Sequence, residues 1–181
     1  MLRILNILHD TTVDGPGFRT SIYAAGCRHA CVGCHNPESW PMYSGRDMSV
    51  GEVLVQVLSD PFANVTFTGG DPFFQADEFA RLAREIKKLS TKTIWCYTGF
   101  TFERLYQSAY CHHPVPAGSR LHYCGLSGVR ALMQCIDVMV DGPFVQSLRD
   151  TELMFRGSSN QRLIDVRLSL AAGRTIVWER S

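Results

Sequence analysis

The sequence predicts an α/β fold built around a mostly parallel sheet, and two observations support this prediction. Short apolar runs alternate with longer amphipathic segments, as in βα units. Each predicted strand also ends in a polar or glycine-rich turn. Because the carboxyl ends of parallel strands meet at one edge of a sheet, we expect these turns to converge on one site. The 181 residues, 45% of them apolar, are expected to form a single domain spanning 1–181.

The first half of the chain begins this pattern. A first strand is predicted at 19–25, and it leads directly into a cysteine-rich loop at 26–37. Ser49 and Glu52 have the spacing of a capping box, which predicts a helix beginning after Ser49. A second short strand at 65–68 ends in a Gly-Gly-Asp-Pro turn.

A long amphipathic helix follows at 75–89. Apolar residues recur in it with helical spacing, Asp77 and Glu78 lie in its first turn, and Lys87 and Lys88 lie in its last. This charge distribution complements the helix dipole, which strengthens the prediction.

The second half of the chain is predicted to continue with strands and one further helix. A third strand is expected at 93–97 and a helix from Phe102. A fourth strand is expected at 136–140, and two late strands at 161–170 and 175–178. No internal repeat or low-complexity segment interrupts this order.

Three cysteines within eight residues form the most informative local pattern. Cys27, Cys31 and Cys34 have the spacing C-x3-C-x2-C. A four-iron cluster normally takes four thiolates, so a set of three leaves one iron free to bind something other than protein. Other interpretations remain open at this point. Cys31 to His35 also spells the C-x-x-C-H signal of c-type haem attachment, and a C-x-x-C pair can serve as a redox dithiol or as part of a zinc site.

Composition narrows the classes of function. The net charge of +1 and the scattered basic residues give no general attraction to polyanions, so nucleic acid is not expected as a direct ligand. The apolar run at the N-terminus is interrupted by polar residues too early to be a signal peptide, and no run of about 18 apolar residues occurs. We therefore expect a soluble, cytoplasmic protein without membrane contact. The odd count of seven cysteines favours metal or redox use over a disulfide framework.

The cysteine loop after one strand and the Gly-Gly-Asp turn after the next together resemble the radical S-adenosylmethionine superfamily. The resemblance implies a partial, open (β/α) barrel and a 4Fe-4S cluster held by Cys27, Cys31 and Cys34. It also implies that the free iron chelates the methionine part of S-adenosylmethionine. The expected cofactor-binding residues are Gly33, Cys34, His35, Gly69, Gly70, Asp71 and Thr98.

Each of these residue types has a physical reason to be there. Gly69 and Gly70 lack side chains, so the backbone can approach a ligand closely. Asp71 supplies a carboxylate that can accept hydrogen bonds or orient the turn. In the superfamily this turn contacts the methionine amino group, and Gly70 is the position expected to make the backbone contact. His35 occupies a place where an aromatic residue often lies near adenine, although a surface or structural histidine is an equally open interpretation.

Four further segments resemble the activating proteins of anaerobic ribonucleotide reductase. They are DGPGFR at 14–19, WCYTG at 95–99, VDGPF at 140–144 and FRGSSNQ at 155–161. The resemblance implies an oxidoreductase that cleaves S-adenosylmethionine reductively, with electrons from reduced flavodoxin or a similar donor. The 5′-deoxyadenosyl radical would then abstract hydrogen from a glycine of the reductase. An activase of pyruvate formate-lyase or another glycyl radical enzyme is an alternative, as is a non-catalytic zinc or iron-sulfur binding module.

Segment 108–128 is longer than the compact family pattern suggests, and it is interpreted as a possible inserted loop. Its prolines and Gly118 favour a surface loop without chemical function, whereas its soft and imidazole ligands could hold a second metal. Those candidate ligands are Cys111, His112, His113, His122 and Cys124. The remaining cysteines, Cys96 and Cys135, are expected to be small buried hydrophobic residues.

Overall fold

A seven-stranded sheet forms the centre of the protein in a computed structural model, which describes residues 1–111 and 113–179. Its strands are β1 (Leu2–Thr11), β2 (Arg19–Ala24), β3 (Arg46–Met48), β4 (Asn64–Gly69), β5 (Ile94–Tyr97), β6 (Val138–Asp141) and β7 (Arg162–Asp165). The strand order is β3-β1-β2-β4-β5-β6-β7. Within the described residues β3 and β7 are therefore the edges of an open sheet.

The middle of the sheet is parallel. Strands β2, β4, β5 and β6 run in the same direction, with Ile22 opposite Phe67 and Phe67 opposite Cys96. The outer strands are antiparallel to their neighbours: β1 to β2, β3 to β1 and β7 to β6. The α/β class is thus confirmed, whereas the mostly parallel arrangement holds only for the four central strands.

In the described residues, five α-helices accompany the sheet: α1 (Val50–Ser59), α2 (Ala76–Leu89), α3 (Phe102–Tyr110), α4 (Leu126–Met133) and α5 (Val166–Ala172). The capping box predicted for α1 is present, because the Ser49 hydroxyl accepts a hydrogen bond from the Glu52 N–H and the Glu52 carboxylate accepts one from the Ser49 N–H. Helix α2 also begins and ends close to its predicted bounds. In the part of the chain described, no helix is long and apolar enough to cross a membrane.

The core has two parts, one on each face of the sheet. Helix α2 packs against both α1 and α4, and α4 packs against α3. Their apolar faces meet buried sheet residues such as Ile22 and Phe67 in the main core. The opposite face carries a smaller cluster around Trp95, Val138 and Val140, against which Trp178 packs. The sheet is consequently covered on both faces near β5 and β6.

The predicted strand at 161–170 is wrong beyond Asp165, where helix α5 begins. The Asp165 carboxylate accepts a hydrogen bond from the Leu168 N–H at 2.8 Å and caps this helix. Alternating apolar residues from Val166 to Leu170 suggested a strand, but the cap and the left-handed Gly173 (φ +64°) define a short helix instead. The strand predicted at 175–178 is reduced to a single bridge between Ile164 and Val177.

The structure also corrects the interpretation of 108–128 as a surface loop. Leu121 and Cys124 are buried in the main core, 2% and 5% exposed, and a 3-10 turn spans Arg120–Tyr123. Helix α4, which begins within this segment, was not predicted, and neither were β1 and β3. The segment is therefore partly built into the fold.

Candidate functional site

A cavity of about 510 Å³ opens where the four parallel strands end. Six segments of the described chain line it, including the turns after all four of these strands, which confirms that those turns converge. The contributing residues include Cys27, Cys31 and Cys34 after β2; Gly69, Gly70 and Asp71 at the end of β4; Thr98 and Gly99 after β5; Gly142 and Phe144 after β6; and Gly157 and Gln161 before β7.

Backbone hydrogen bonds fix the cluster loop, residues 26–37, in the wall of this cavity. The loop leaves β2 through Gly26, whose φ of +90° favours glycine. Gly26 N–H donates to Ser39 O at 2.7 Å, and Cys27 N–H donates to Trp40 O at 3.1 Å. Further along, Cys34 N–H donates to the Cys31 carbonyl at 3.1 Å. The loop thus closes on the turn that follows it.

The protein environment acts unequally on the cluster-loop thiols. Burial, reinforced by the nearby charge of Asp71, raises the pKa of Cys27 to about 12, and a backbone hydrogen bond from His29 partly opposes this shift. Burial also raises the pKa of Cys31, while a backbone hydrogen bond from Phe144 and the charge of Arg120 oppose it. Thiols must lose their protons to bind iron, so assembly of a cluster here would release protons.

The glycine turn at the end of β4 is packed directly against the start of the cluster loop. A Cβ on Gly69 would lie 2.7 Å from Ala24 N, and one on Gly70 would lie 2.5 Å from Gly26 O. Gly70 N–H donates to Ala24 O at 2.7 Å, which leaves the Gly70 carbonyl as the backbone group able to meet a ligand. A carbonyl oxygen is an acceptor, so this turn suits an amino group. The three cysteines and this turn line the same cavity, so the residue types present fit an iron-sulfur cluster beside a ligand that carries an amino group.

The Asp71 carboxylate is held entirely within the protein. One oxygen accepts a hydrogen bond from Phe73 N–H at 2.9 Å. The other oxygen lies 2.7 Å from His29 Nε2 and accepts bonds from the Thr98 hydroxyl at 2.8 Å and the Gly99 N–H at 3.0 Å. Asp71 is only 1% exposed. Its side chain therefore joins the cluster loop, the glycine turn and the end of β5.

The other predicted cofactor residues occupy different places. His35 lines the cavity and is exposed, with its ring centroid 5.4 Å from that of Phe144. Thr98 also lines the cavity, although its hydroxyl is committed to Asp71. Gly33 is not part of the cavity wall formed by the described residues, and a Cβ there would meet the Gln146 side chain at 2.8 Å.

Two tyrosines in the cavity were missed by sequence reasoning. The Tyr23 hydroxyl donates to Asp14 Oδ2 at 3.2 Å, and the Tyr97 hydroxyl donates to Phe155 O at 2.9 Å. Burial raises the pKa of Tyr23 to about 12, so this phenol is a neutral donor at ordinary pH. The period-two alternation of β2 and β5 could have identified both, because each lies one residue beyond a core position.

The RGSSNQ segment acquires a clear structural function. The Gln161 side-chain oxygen accepts hydrogen bonds from the N–H groups of Gly157 and Ser158, at 2.9 and 3.2 Å. The Gln161 amide nitrogen donates to Gly142 O at 3.1 Å. The Ser158 hydroxyl accepts a bond from Val145 N–H at 3.2 Å. The Gln161 side chain, together with Ser158, thus holds the segments around Gly142 and Gly157 against each other in the wall of the cavity.

Arg19, the last residue of the DGPGFR segment, is the first residue of β2. It is fully buried, and its guanidinium donates to the Thr66 hydroxyl and the Val65 carbonyl, both at 2.6 Å. Thr66 in turn donates to Asp14 O at 2.8 Å. Burial lowers the pKa of Arg19 to about 10, which still leaves it charged at neutral pH. This arginine supports the segment that carries Asp14.

The candidate ligands for a second metal are not assembled. Cys111, His113 and His122 are exposed, whereas Cys124 is buried in the core; His112 lies outside the described residues. Among the described residues, no three His, Cys, Asp or Glu side chains converge as they would around a single metal ion. The cluster cysteines likewise share a cavity rather than one ion-sized point. Cys96 is fully buried, as expected, but Cys135 is only half-buried.

Comparisons with known proteins agree with this site. The family model of the 4Fe-4S single cluster domain matches residues 13–164, which defines the class as an iron-sulfur protein with one cluster. A protein of Vibrio cholerae serotype O1 named anaerobic ribonucleoside-triphosphate reductase-activating protein is 32% identical over 82% of this chain and 88% of its own. Proteins with the same name from Escherichia coli K12 and Enterobacteria phage T4 are 29% and 31% identical, over 82% and 83% of this chain and 89% and 86% of theirs. The chain belongs to the family of anaerobic ribonucleoside-triphosphate reductase-activating proteins.

Proposed function

We propose that this protein activates an anaerobic ribonucleotide reductase by generating a glycyl radical on it. The observation that carries the proposal is the single cavity shared by the three cysteines and the glycine turn. The bound cluster and S-adenosylmethionine supply a one-electron cleavage that gives methionine and a 5′-deoxyadenosyl radical, which takes a hydrogen atom from the glycine. The named relatives support the reductase as the target.

The residues would divide the work of binding as follows. Cys27, Cys31 and Cys34 hold the cluster, and the Gly70 carbonyl accepts a hydrogen bond from the methionine amino group. His35, exposed in the cavity beside Phe144, offers a flat ring to the adenine. The open sheet with its parallel centre is compatible with a partial (β/α) barrel of the radical S-adenosylmethionine type.

The protein must also exclude water while the radical exists, because an unprotected radical would react with solvent or with loose side chains. The cavity is open in the isolated chain, so the reductase would close it by inserting the loop that bears its glycine. An external one-electron donor such as reduced flavodoxin would reduce the cluster. Both steps belong to the proposal.

Electron paramagnetic resonance tests this function directly. The reconstituted protein is mixed anaerobically with S-adenosylmethionine, dithionite and an anaerobic ribonucleotide reductase, and we expect a glycyl radical doublet on the reductase together with 5′-deoxyadenosine. Pyruvate formate-lyase serves as the comparison substrate. A stronger doublet on that enzyme would identify it as the preferred target. Failure to cleave S-adenosylmethionine would instead indicate a non-catalytic iron-sulfur binding module.

A further inference from the structure

His29 lies in the cluster loop between Cys27 and Cys31, yet its side chain points inward. It is 8% exposed, and its ring packs edge-on against Phe100 and at a tilt against Phe74, with centroid separations of 4.6 and 5.5 Å. A Cβ on Gly99 would lie 2.5 Å from the imidazole, so the ring fits because that position is glycine. The imidazole is therefore firmly placed.

Asp71, the partner of this imidazole, is held mainly by donors from the protein. An ionised carboxylate offers about four lone-pair sites. Its Oδ2 is engaged by His29 Nε2, the Thr98 hydroxyl and the Gly99 N–H, while its Oδ1 accepts a hydrogen bond from the Phe73 N–H. The residue lies in the cavity wall and is 1% exposed. The oxygen that meets His29 is therefore committed to contacts that hold the site together.

His29 belongs to the cluster loop through its backbone, which lies between Cys27 and Cys31. Its Nε2 lies 2.7 Å from Asp71 Oδ2, so its side chain reaches the segment that follows β4. The Asp71 N–H donates to Gly26 O at 3.0 Å, which closes a second link between the glycine turn and the cluster loop. A single buried pair consequently fixes both halves of the site relative to each other.

We infer that His29 and Asp71 are positioning residues that lock the cluster loop against the glycine turn, so that cluster retention and S-adenosylmethionine binding depend on the same buried contact. This inference rests on the proposed function for its cofactor part. Loss of the contact loosens both the Cys27 end of the loop and the glycine turn that carries the Gly70 carbonyl.

Two substitutions separate the hydrogen bond from the packing of the ring. His29→Phe keeps a ring against Phe74 and Phe100 but cannot donate to Asp71. His29→Gln loses the ring but keeps an amide donor. Ser169→Ala is the matched control, because Ser169 is fully buried and hydrogen-bonded to Ile176, outside the cavity wall.

Three properties of the reconstituted protein are measured: the rate of iron release to a chelator, the paramagnetic resonance signal of the reduced cluster, and the affinity for S-adenosylmethionine. We expect His29→Phe to release iron to a chelator faster than wild type, to alter the paramagnetic resonance signal of the reduced cluster, and to bind S-adenosylmethionine about tenfold more weakly, the scale of one orphaned buried acceptor. His29→Gln should restore affinity and iron release to within about threefold of wild type, and Ser169→Ala should match wild type in all three measurements.

The inference is overturned if folded His29→Phe retains wild-type iron release and cluster signal, or if His29→Gln is as defective as His29→Phe. If His29→Phe does not fold, Thr98→Val replaces it, because it removes another donor to the same Asp71 oxygen, and a wild-type result for it again overturns the inference. Should wild-type protein bind no S-adenosylmethionine, the proposed function fails, whereas the iron-release comparison still decides whether the pair positions the cluster loop.

Discussion

At the scale of single residues, the site separates groups that face the cavity from groups that build it. Asp71, Gln161 and Arg19 have polar side chains that are engaged by other parts of the protein. The cysteines of the cluster loop and Gly70 also line the cavity, and they are the groups that we propose to meet the ligands. Under that proposal a motif residue serves the site by holding its segments together.

Gly70→Ala should weaken S-adenosylmethionine binding by at least about tenfold, because the added Cβ would lie 2.5 Å from the Gly26 carbonyl. That neighbour is backbone at the start of the cluster loop and cannot move without shifting the loop. Isothermal titration on the reconstituted protein measures the affinity. Gly51→Ala in helix α1 is the control, since only the Ser49 hydroxyl lies near its Cβ, at 3.9 Å. Equal affinities for the two variants would contradict the assignment of Gly70.

Cys31→Ala should lose most of its iron after reconstitution, whereas Cys111→Ala should keep the wild-type content. Cys31 lines the cavity and receives a backbone hydrogen bond from Phe144, while Cys111 is exposed at the end of α3. Iron and sulfide analysis measures the result, and circular dichroism confirms folding. Comparable iron loss in both variants would show that segment 108–128, which contains Cys111, takes part in metal binding.

At the scale of elements, the sequence predicts helices and strands well where apolar residues recur with one clear period or where a capping motif marks the start of a helix. Helix α2 and the four parallel strands were placed close to their observed bounds. The patterns failed where local and tertiary signals compete: the apolar alternation after Asp165 fits a strand, but the Asp165 side chain caps a helix. Strand β1 was missed because only its first residues, including Leu2 and Ile4, alternate between core and surface.

A carboxylate network joins three of these elements and gives a prediction about acid stability. Hydrogen bonds from Arg162 in β7, at 3.0 and 2.8 Å, are the main cause that lowers the pKa of Glu103 in α3 to about 2. Arg162 also pairs with the buried Asp141 of β6. The ionised Glu103 thus helps hold α3 to the end of the sheet.

Because the folded-state pKa of Glu103 lies below its ordinary value of 4.5, its contribution is present above about pH 4.5 and is lost as the pH falls towards 2. The free energy of unfolding of wild type should exceed that of Glu103→Gln at pH 6, and the difference should shrink below pH 4.5. We expect less than about 1 kcal/mol, since the side chain is half-exposed and screened by solvent. Urea titrations measure it. In an Arg162→Gln background the difference should shrink to what the Thr175 hydroxyl contributes, and an undiminished difference there would contradict the pairing.

At the scale of the whole molecule, the sequence predicted the place of the site better than its internal organisation. The cysteines and the glycine turn were identified by local spacing, and their convergence followed from the parallel strands. The contact of His29 with Asp71 joins residues 42 positions apart, so no local pattern could reveal it. The same holds for Gln161, whose bond to Gly142 spans 19 positions. Such long-range polar contacts decide how the motif residues are arranged around the cavity.

The wall built by Gln161 predicts how the isolated chain and its partner share the reaction. If residues 142–161 guide the reductase loop into the cavity, loosening this wall should impair transfer of the radical more than cleavage of S-adenosylmethionine. Gln161→Ala removes the bonds to Gly157, Ser158 and Gly142, so we expect cleavage with dithionite to persist while the yield of glycyl radical per 5′-deoxyadenosine falls severalfold. Gln161→Glu keeps the acceptor for the two N–H groups and should lose less. Electron paramagnetic resonance and chromatography give the ratio. An unchanged ratio in Gln161→Ala would mean that the wall only stabilises the fold, and that the reductase closes the cavity from the side of the cluster loop.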